Sequence, residues 1–412
     1  MRRTRARRTV SAIVALALVL GVVYAAAALI SPVPRLDVEP RLPEEPARPW
    51  SLELAFPTSG ATAVALGESD DAAPVAVQDA EPRAIAGAAK LVLLATVLDA
   101  EPLAGGSPGP AITIDQEAVQ RYRELDAAGA RTVPVVFGQT WTRRDLIAAT
   151  LLGSGNNIAE LLIDEVFGGL DAYRAAAQAW LTDRGLTATT VADGAGLDAA
   201  SRSTAAELAR VTRELLDQPA VASIVAERPR TTSAGAAYPD AAAVLPGLGT
   251  RGLVSSYTDA AGVCIVATVE VEGERAVVVL LGQPGYAQAD EAVTTLVEGL
   301  RSAIRPVEVI AAGQVVGVAV SDWGQQTELV ATEAIVVSST ALEGLALRIE
   351  PAVRSTIVRG ADAGQLVAGL PTRGANAPPE IRVRLESTGT ISEPGVAWRF
   401  ADPFTVLSRW TG

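Results

Sequence analysis

The chain has 412 residues, 49% of them hydrophobic, with 47 acidic against 34 basic side chains and a net charge of −13. That balance speaks against nucleic acid or an anionic lipid surface as a partner. With no histidine and one cysteine, Cys264, the chain cannot build a Ser-His-Asp triad, a zinc site of His or Cys ligands, or an internal disulfide, and no metal or cofactor is expected.

Residues 1–9 carry five arginines, and residues 10–30 follow without a charge. As a helix that apolar run would rise about 31 Å, enough for a bilayer core and longer than the apolar region of a signal peptide. It is read as an uncleaved transmembrane anchor, with cleavage within Ala25–Ala28 as the alternative that would leave a secreted protein. The basic flank would hold the first residues in the cytoplasm and place the rest outside. That remainder holds 29 basic and 47 acidic residues. Six prolines among charged residues in 31–49 read as an extended stalk.

The folded part is expected to begin near residue 50. Leu52–Phe56 and Ala63–Leu66 flank a Thr-Ser-Gly turn and suggest a hairpin, followed by an acidic solvated turn at Asp70-Asp71. A helical run over 84–99 then holds Lys90, the only lysine in a chain with 33 arginines. Arginine stays charged at any working pH, whereas a desolvated lysine can lose its proton and act as a base. One helical turn earlier stands Gly87, which has no side chain.

From Trp141 to Leu216 apolar residues recur at helical spacing. Strands return at 262–271 and 274–281, joined by Glu272-Gly273 as a hairpin, and 289–304 reads as a closing helix. Cys264 lies in an apolar run and reads as a buried strand residue. After Arg305-Pro306, short valine-rich runs separated by Gly, Pro and Asp indicate a second, β-sandwich-like domain, in which Trp323, Trp398 and Trp410 are expected to pack in the core or at an edge. The fold class is α+β, an antiparallel sheet flanked by helices with an all-helical subdomain, followed by a β-rich C-terminal domain.

Three segments line up with known signatures. Leu151-Leu-Gly-Ser-Gly-Asn-Asn157 follows the lead-in Gly138–Leu146. Asp193-Gly-Ala-Gly-Leu197 with Ser201–Leu208 lies about 40 residues downstream, and Tyr257-Thr-Asp-Ala-Ala-Gly262 is the third. The chain resembles the penicillin-recognising serine DD-peptidases, specifically D-alanyl-D-alanine carboxypeptidases with a C-terminal β-domain. The resemblance covers about residues 51–304 and implies a DD-peptidase/β-lactamase-like domain over 50–304, a β-domain over 305–412, and peptidoglycan peptides or cell-wall proteins as partners.

The resemblance also assigns the site, and shows it degraded. The family's Ser-x-x-Lys puts a serine one turn before the lysine so that the amine can take the hydroxyl proton. Here the element reads Gly87-Ala-Ala-Lys90. The family's Ser-x-Asn is intact as Ser154-Gly-Asn156, where Asn156 would also suit a helix cap. In place of Lys-Thr-Gly stand Val254-Ser255-Ser256, so a cation for the substrate carboxylate and a glycine of close approach are both missing. Arg251 is out of register to replace that cation. Lys90, Ser154 and Asn156 are therefore the remnant catalytic cleft, and Ser255, Ser256 and Thr258 the remnant substrate strand. The implied function is a membrane-anchored cell-wall protein that has lost catalysis and binds or scaffolds. Two alternatives stay open: a residual hydrolase using Lys90 with Ser154 or a water, and an envelope structural protein acting through the β-domain.

Overall fold

The computed structural model describes residues 2–43, 52–67, 76–342, 344–370, 380–400 and 403–411. They form two compact units, one within Ser51–Arg305 and one joining residues of Met1–Trp50 to residues from Pro306 onward. The expected turn at Asp70-Asp71 lies outside the described residues.

Helix α1 (Arg2–Leu29) contains one segment, Val10–Leu29, long and apolar enough to cross a membrane, as a signal anchor or a signal peptide would be. Within the segment expected as a stalk, β1 (Asp37–Pro40) forms instead a sheet strand. Its partner lies some 280 residues downstream, which no local pattern announces.

In the first unit, β2 (Ala61–Leu66) is buried throughout. It pairs with β3 (Ala76–Gln78) and with β10, described below; the expected strand at 52–56 is absent. Leu54 instead packs toward Gly299 of the closing helix. Short β4 (Arg83–Ala84) leads through a 3-10 turn, Ala86–Ala88, into α2 (Ala89–Ala100). Residues 89–98 of α2 are all buried. A helix apolar on every side must be enclosed on every side, and α2 is the central post of this unit.

Around it stand β5 (Ala111–Thr113), α3 (Gln116–Ala127), β6 (Thr140–Thr142), α4 (Arg143–Leu151), α5 (Asn156–Phe167) and α6 (Leu170–Asp183). Then come β7 (Arg202–Ser203), α7 (Ala205–Asp217) and α8 (Pro219–Glu227). Asp115 caps α3, Thr142 and Asp145 form a capping box on α4, and Thr204 caps α7. These caps fix where the chain turns into each helix.

The sheet is completed by β8 (Thr250–Thr258), β9 (Gly262–Val271) and β10 (Glu274–Gln283), in the order β3-β2-β10-β9-β8, all antiparallel. The β9–β10 turn places Glu272 at φ 50° and Gly273 at φ 79°, the left-handed pair that a two-residue hairpin requires. Helix α9 (Tyr286–Ala303) closes the unit.

The second unit has a six-stranded sheet, β1-β12-β13-β17-β16-β15, and a two-stranded pair, β11-β14. Its strands are β11 (Pro306–Ile310), β12 (Val315–Val320), β13 (Gln326–Ala331), β14 (Ile335–Ser338), β15 (Ala346–Pro351), β16 (Asp362–Gly369) and β17 (Glu380–Ser387). Helices α10 (Val396–Arg399) and α11 (Pro403–Thr411) follow. The β-domain thus includes residues 37–40 from the N-terminal side. Trp323 meets Trp398 edge-on with ring centroids 5.5 Å apart, Arg409 stacks over Trp398, and the Trp410 indole N–H donates to Ala27 O at 3.3 Å.

Candidate active site

Four elements converge on the start of α2. The 3-10 turn supplies Gly87, α2 supplies Lys90, the α4–α5 junction supplies Ser154 and Asn156, and the edge strand β8 supplies Ser256. Two of the non-glycine residues with positive φ sit here, Ala86 at 43° and Ser154 at 51°. Each costs about 1–2 kcal/mol and persists only because its surroundings impose it.

Lys90 is 4% exposed. Its Nζ donates to Asn156 Oδ1 at 2.6 Å and to the Ala195 carbonyl at 3.1 Å. Among the described residues it has no carboxylate at ion-pair distance. Burial pulls its pKa down to about 7; the charge of Asp193 opposes that fall and the charge of Arg131 adds to it. A lysine so placed is a substantially neutral amine at neutral pH, equipped to take a proton.

Asp193 shapes the far wall. Its carboxylate accepts from the amides of Ala195, Gly196 and Asp198, folding 193–198 into a tight loop that presents the Ala195 carbonyl to Lys90. Gly196 has φ +74°, and a β-carbon there would stand 1.7 Å from Ala86 O. Only glycine lets this loop lie against the strained Ala86 turn.

Asn156 is the first residue of α5 and not its cap, which is Gly155; its side chain holds Lys90 instead. Neighbouring Asn157 exchanges two hydrogen bonds with the Val133 backbone, at 2.9 and 2.8 Å, and so fixes the 131–135 segment. Ser154 is half-buried, and its hydroxyl is not hydrogen-bonded to Lys90.

On β8, Ser256 is 9% exposed and its Oγ accepts the Gly87 amide N–H at 3.0 Å. A β-carbon on Gly87 would lie 3.0 Å from both Cβ and Oγ of Ser256, and 3.5 Å from Lys90 Nζ. The hydroxymethyl group of Ser256 therefore stands beside the space that a side chain at 87 would use. Ser255 is half-buried, and its carbonyl accepts from Arg131 Nη1 at 2.8 Å. Thr258 Oγ1 accepts from the Ala261 amide, within the turn that ends the strand. Val254 is 5% exposed and belongs to the apolar core. Arg251 points elsewhere, donating to Val225 O at 3.4 Å, and a bulge between Gly252 and Val254 interrupts the register.

The geometry thus brings Gly87, Lys90, Asn156 and Ser256 together, leaves Ser154 without a hydrogen bond to the amine, and puts Thr258 at the far end of β8, where the strand meets its turn. Sequence reasoning did not find Arg131, whose place beside β8 has no local motif. The Asp193 segment was visible as a motif, but not its action on Lys90 through Ala195.

An antiparallel sheet with a helical lobe, and a buried lysine where the two meet, is the fold of the penicillin-binding DD-peptidases. Similar solved structures include the D-alanyl-D-alanine carboxypeptidase DacD from Francisella tularensis, 20% identical with TM-score 0.51, covering 85% of this chain and 97% of that one. Penicillin-binding protein 5 from Haemophilus influenzae is 16% identical with TM-score 0.55, covering 83% and 100%. The Streptomyces K15 DD-transpeptidase is 17% identical with TM-score 0.51, covering 59% and 98%. No match was found among curated proteins. A model of the D-alanyl-D-alanine carboxypeptidase family, Peptidase_S11, matches residues 73–285, more than half of the chain, and the chain belongs to that family.

Proposed function

We propose that this protein is an extracytoplasmic cell-wall protein, held at the membrane by α1, that receives peptidoglycan peptides in the DD-peptidase cleft without turning them over. Gly87 carries this reading. It stands where the family's serine would precede Lys90 by one turn, and its amide, a donor that a bound substrate could use, is engaged by Ser256 Oγ. Members of a catalytic unit act together, so loss of the nucleophile alone removes nearly all of the rate. The loss of a cation at Val254 supports the same reading, since that side chain is buried in the core and offers a substrate carboxylate nothing. Lys90, Asn156 and the Asp193 loop then persist as the walls of a binding cleft.

The test is D-alanine release from a pentapeptide peptidoglycan precursor by the full-length protein, with Lys90→Ala as control. No continuous release is expected. Steady release far beyond one equivalent per chain, dependent on Lys90, would show a working carboxypeptidase and end the receptor reading.

A further inference from the structure

We infer that the hydroxyl nucleophile of this cleft has moved from the helix to the strand: Ser256, facing Lys90 across the space left by Gly87, can be acylated by a peptidoglycan-like acyl donor. The assignment deepens the proposed function and rests on the cleft admitting such a donor.

Hydrogen-bond valences support it. Ser256 Oγ accepts the Gly87 N–H, and among the described residues its own O–H has no acceptor. A neutral amine has two N–H donors and one lone pair. Asn156 Oδ1 and Ala195 O take two donors of Lys90, which leaves the lone pair uncommitted. The unused proton and the unused lone pair belong to atoms 3.0 and 3.5 Å from one point, the place of the missing β-carbon of Gly87. The Gly87 amide meanwhile donates to the oxygen that would gain negative charge as its proton leaves, which favours ionisation. Lys90 supplies the matching base, its pKa drawn down to about 7 by burial.

The step balances within these groups. Lys90 Nζ takes the Ser256 hydroxyl proton as Oγ attacks the acyl carbon. With a D-alanyl-D-alanine peptide the C–N bond breaks, the proton passes from Lys90 to the departing amine, one D-alanine leaves, and an ester on Ser256 remains. With a penicillin the ring C–N bond opens, the ring nitrogen takes the proton, and nothing leaves. A single-turnover capture of this kind is compatible with the absence of continuous release.

The test uses the full-length protein in detergent micelles and a fluorescent penicillin as probe. Intact-mass measurement is expected to show one probe added per chain with no mass lost, fragment mapping to place it on Ser256, and Ser256→Ala to lower the labelling rate at least a hundredfold. The rate is expected to rise about tenfold per pH unit below about 7 and to level above it, a profile that a merely structural serine would not produce. An adduct on Ser154 or Lys90, labelling that persists in Ser256→Ala, or no adduct on folded protein overturns the assignment. Non-covalent binding of a pentapeptide ending in D-alanyl-D-alanine, measured on Ser256→Ala, separates the two readings. Binding by that variant while the unmodified protein gives no adduct removes Ser256 and keeps the receptor. An adduct on Ser256 with no peptide binding does the reverse.

Discussion

Replacing Gly87 with alanine puts a methyl group 3.0 Å from both Cβ and Oγ of Ser256, well inside ordinary contact. Overpacking of this kind costs about 1–3 kcal/mol, and a further ~1 kcal/mol is at stake if Ser256 swings away and its bond from the Gly87 amide is lost. Against this, alanine returns about 0.5–1 kcal/mol of backbone entropy, since φ at Gly87 is not positive. The expected net is a destabilisation of about 1–2 kcal/mol. Ser256→Gly should cost about 1–2 kcal/mol by itself, from the lost hydrogen bond and the glycine in a strand. In the double variant the methyl group occupies what the serine vacated, so the two changes should compensate each other by about 1–3 kcal/mol. The assay is amide hydrogen exchange of the buried α2 segment, read by mass spectrometry in the parent, the two single variants and the double. It reports the opening of this unit alone. A coupling within about 0.5 kcal/mol of zero would mean that residues 87 and 256 do not share that space, and the cleft geometry described above would be wrong.

Gly87→Ser with Ser256→Gly should move the penicillin adduct to position 87 and speed its formation, whereas Gly87→Ser alone should label poorly; fragment mapping decides both. Gly196→Ala, with positive φ and a β-carbon 1.7 Å from Ala86 O, should destabilise by more than about 3 kcal/mol, measured as a fall in thermal midpoint. The pKa of Lys90 falls from 10.5 unfolded to about 7 folded, so the unfolded state binds the extra proton between these values. Stability should therefore rise with pH across that window by up to about 1.4 kcal/mol per unit and be lost as pH falls toward 7. Lys90→Met should abolish that slope in denaturation curves taken from pH 7 to 10. Val254→Lys alone buries a charge in the core and should cost at least ~3 kcal/mol; an unchanged thermal midpoint would place residue 254 in the open cleft after all.

What the sequence disclosed was local. The lone lysine, the Ser-Gly-Asn turn, the Asp193 segment and the Glu272-Gly273 hairpin are each written in a few consecutive residues, and together they identify the family and its α+β fold. What it hid depends on partners far along the chain. Nothing within 37–40 indicates pairing with 317–320. The Ser255 carbonyl meets Arg131 across 124 positions, and the Ser256 hydroxyl meets the Gly87 amide across 169. Read as a motif, Ser256 is a failed glycine. In three dimensions it is the hydroxyl that Gly87 lacks. Asn156, which also has the composition of a cap, spends its side chain on an amine 66 residues away.

The pairing of β1 with β12 bears on how the chain folds as it is made. Synthesis delivers β1 first, and its partner Gly317–Val320 arrives only after the whole of Ser51–Arg305 has been produced. Until then β1 lacks its one ladder partner, β12, while the residues of Ser51–Arg305 have all emerged. Closing so long a loop costs little more free energy than closing one half its length, because the entropy grows only as its logarithm, but it makes the joining step slow. The cleft-bearing unit should therefore fold first and the β-domain last. A chain interrupted before residue 320 would leave a finished cleft tethered to an orphaned strand edge, a surface prone to pairing with other chains.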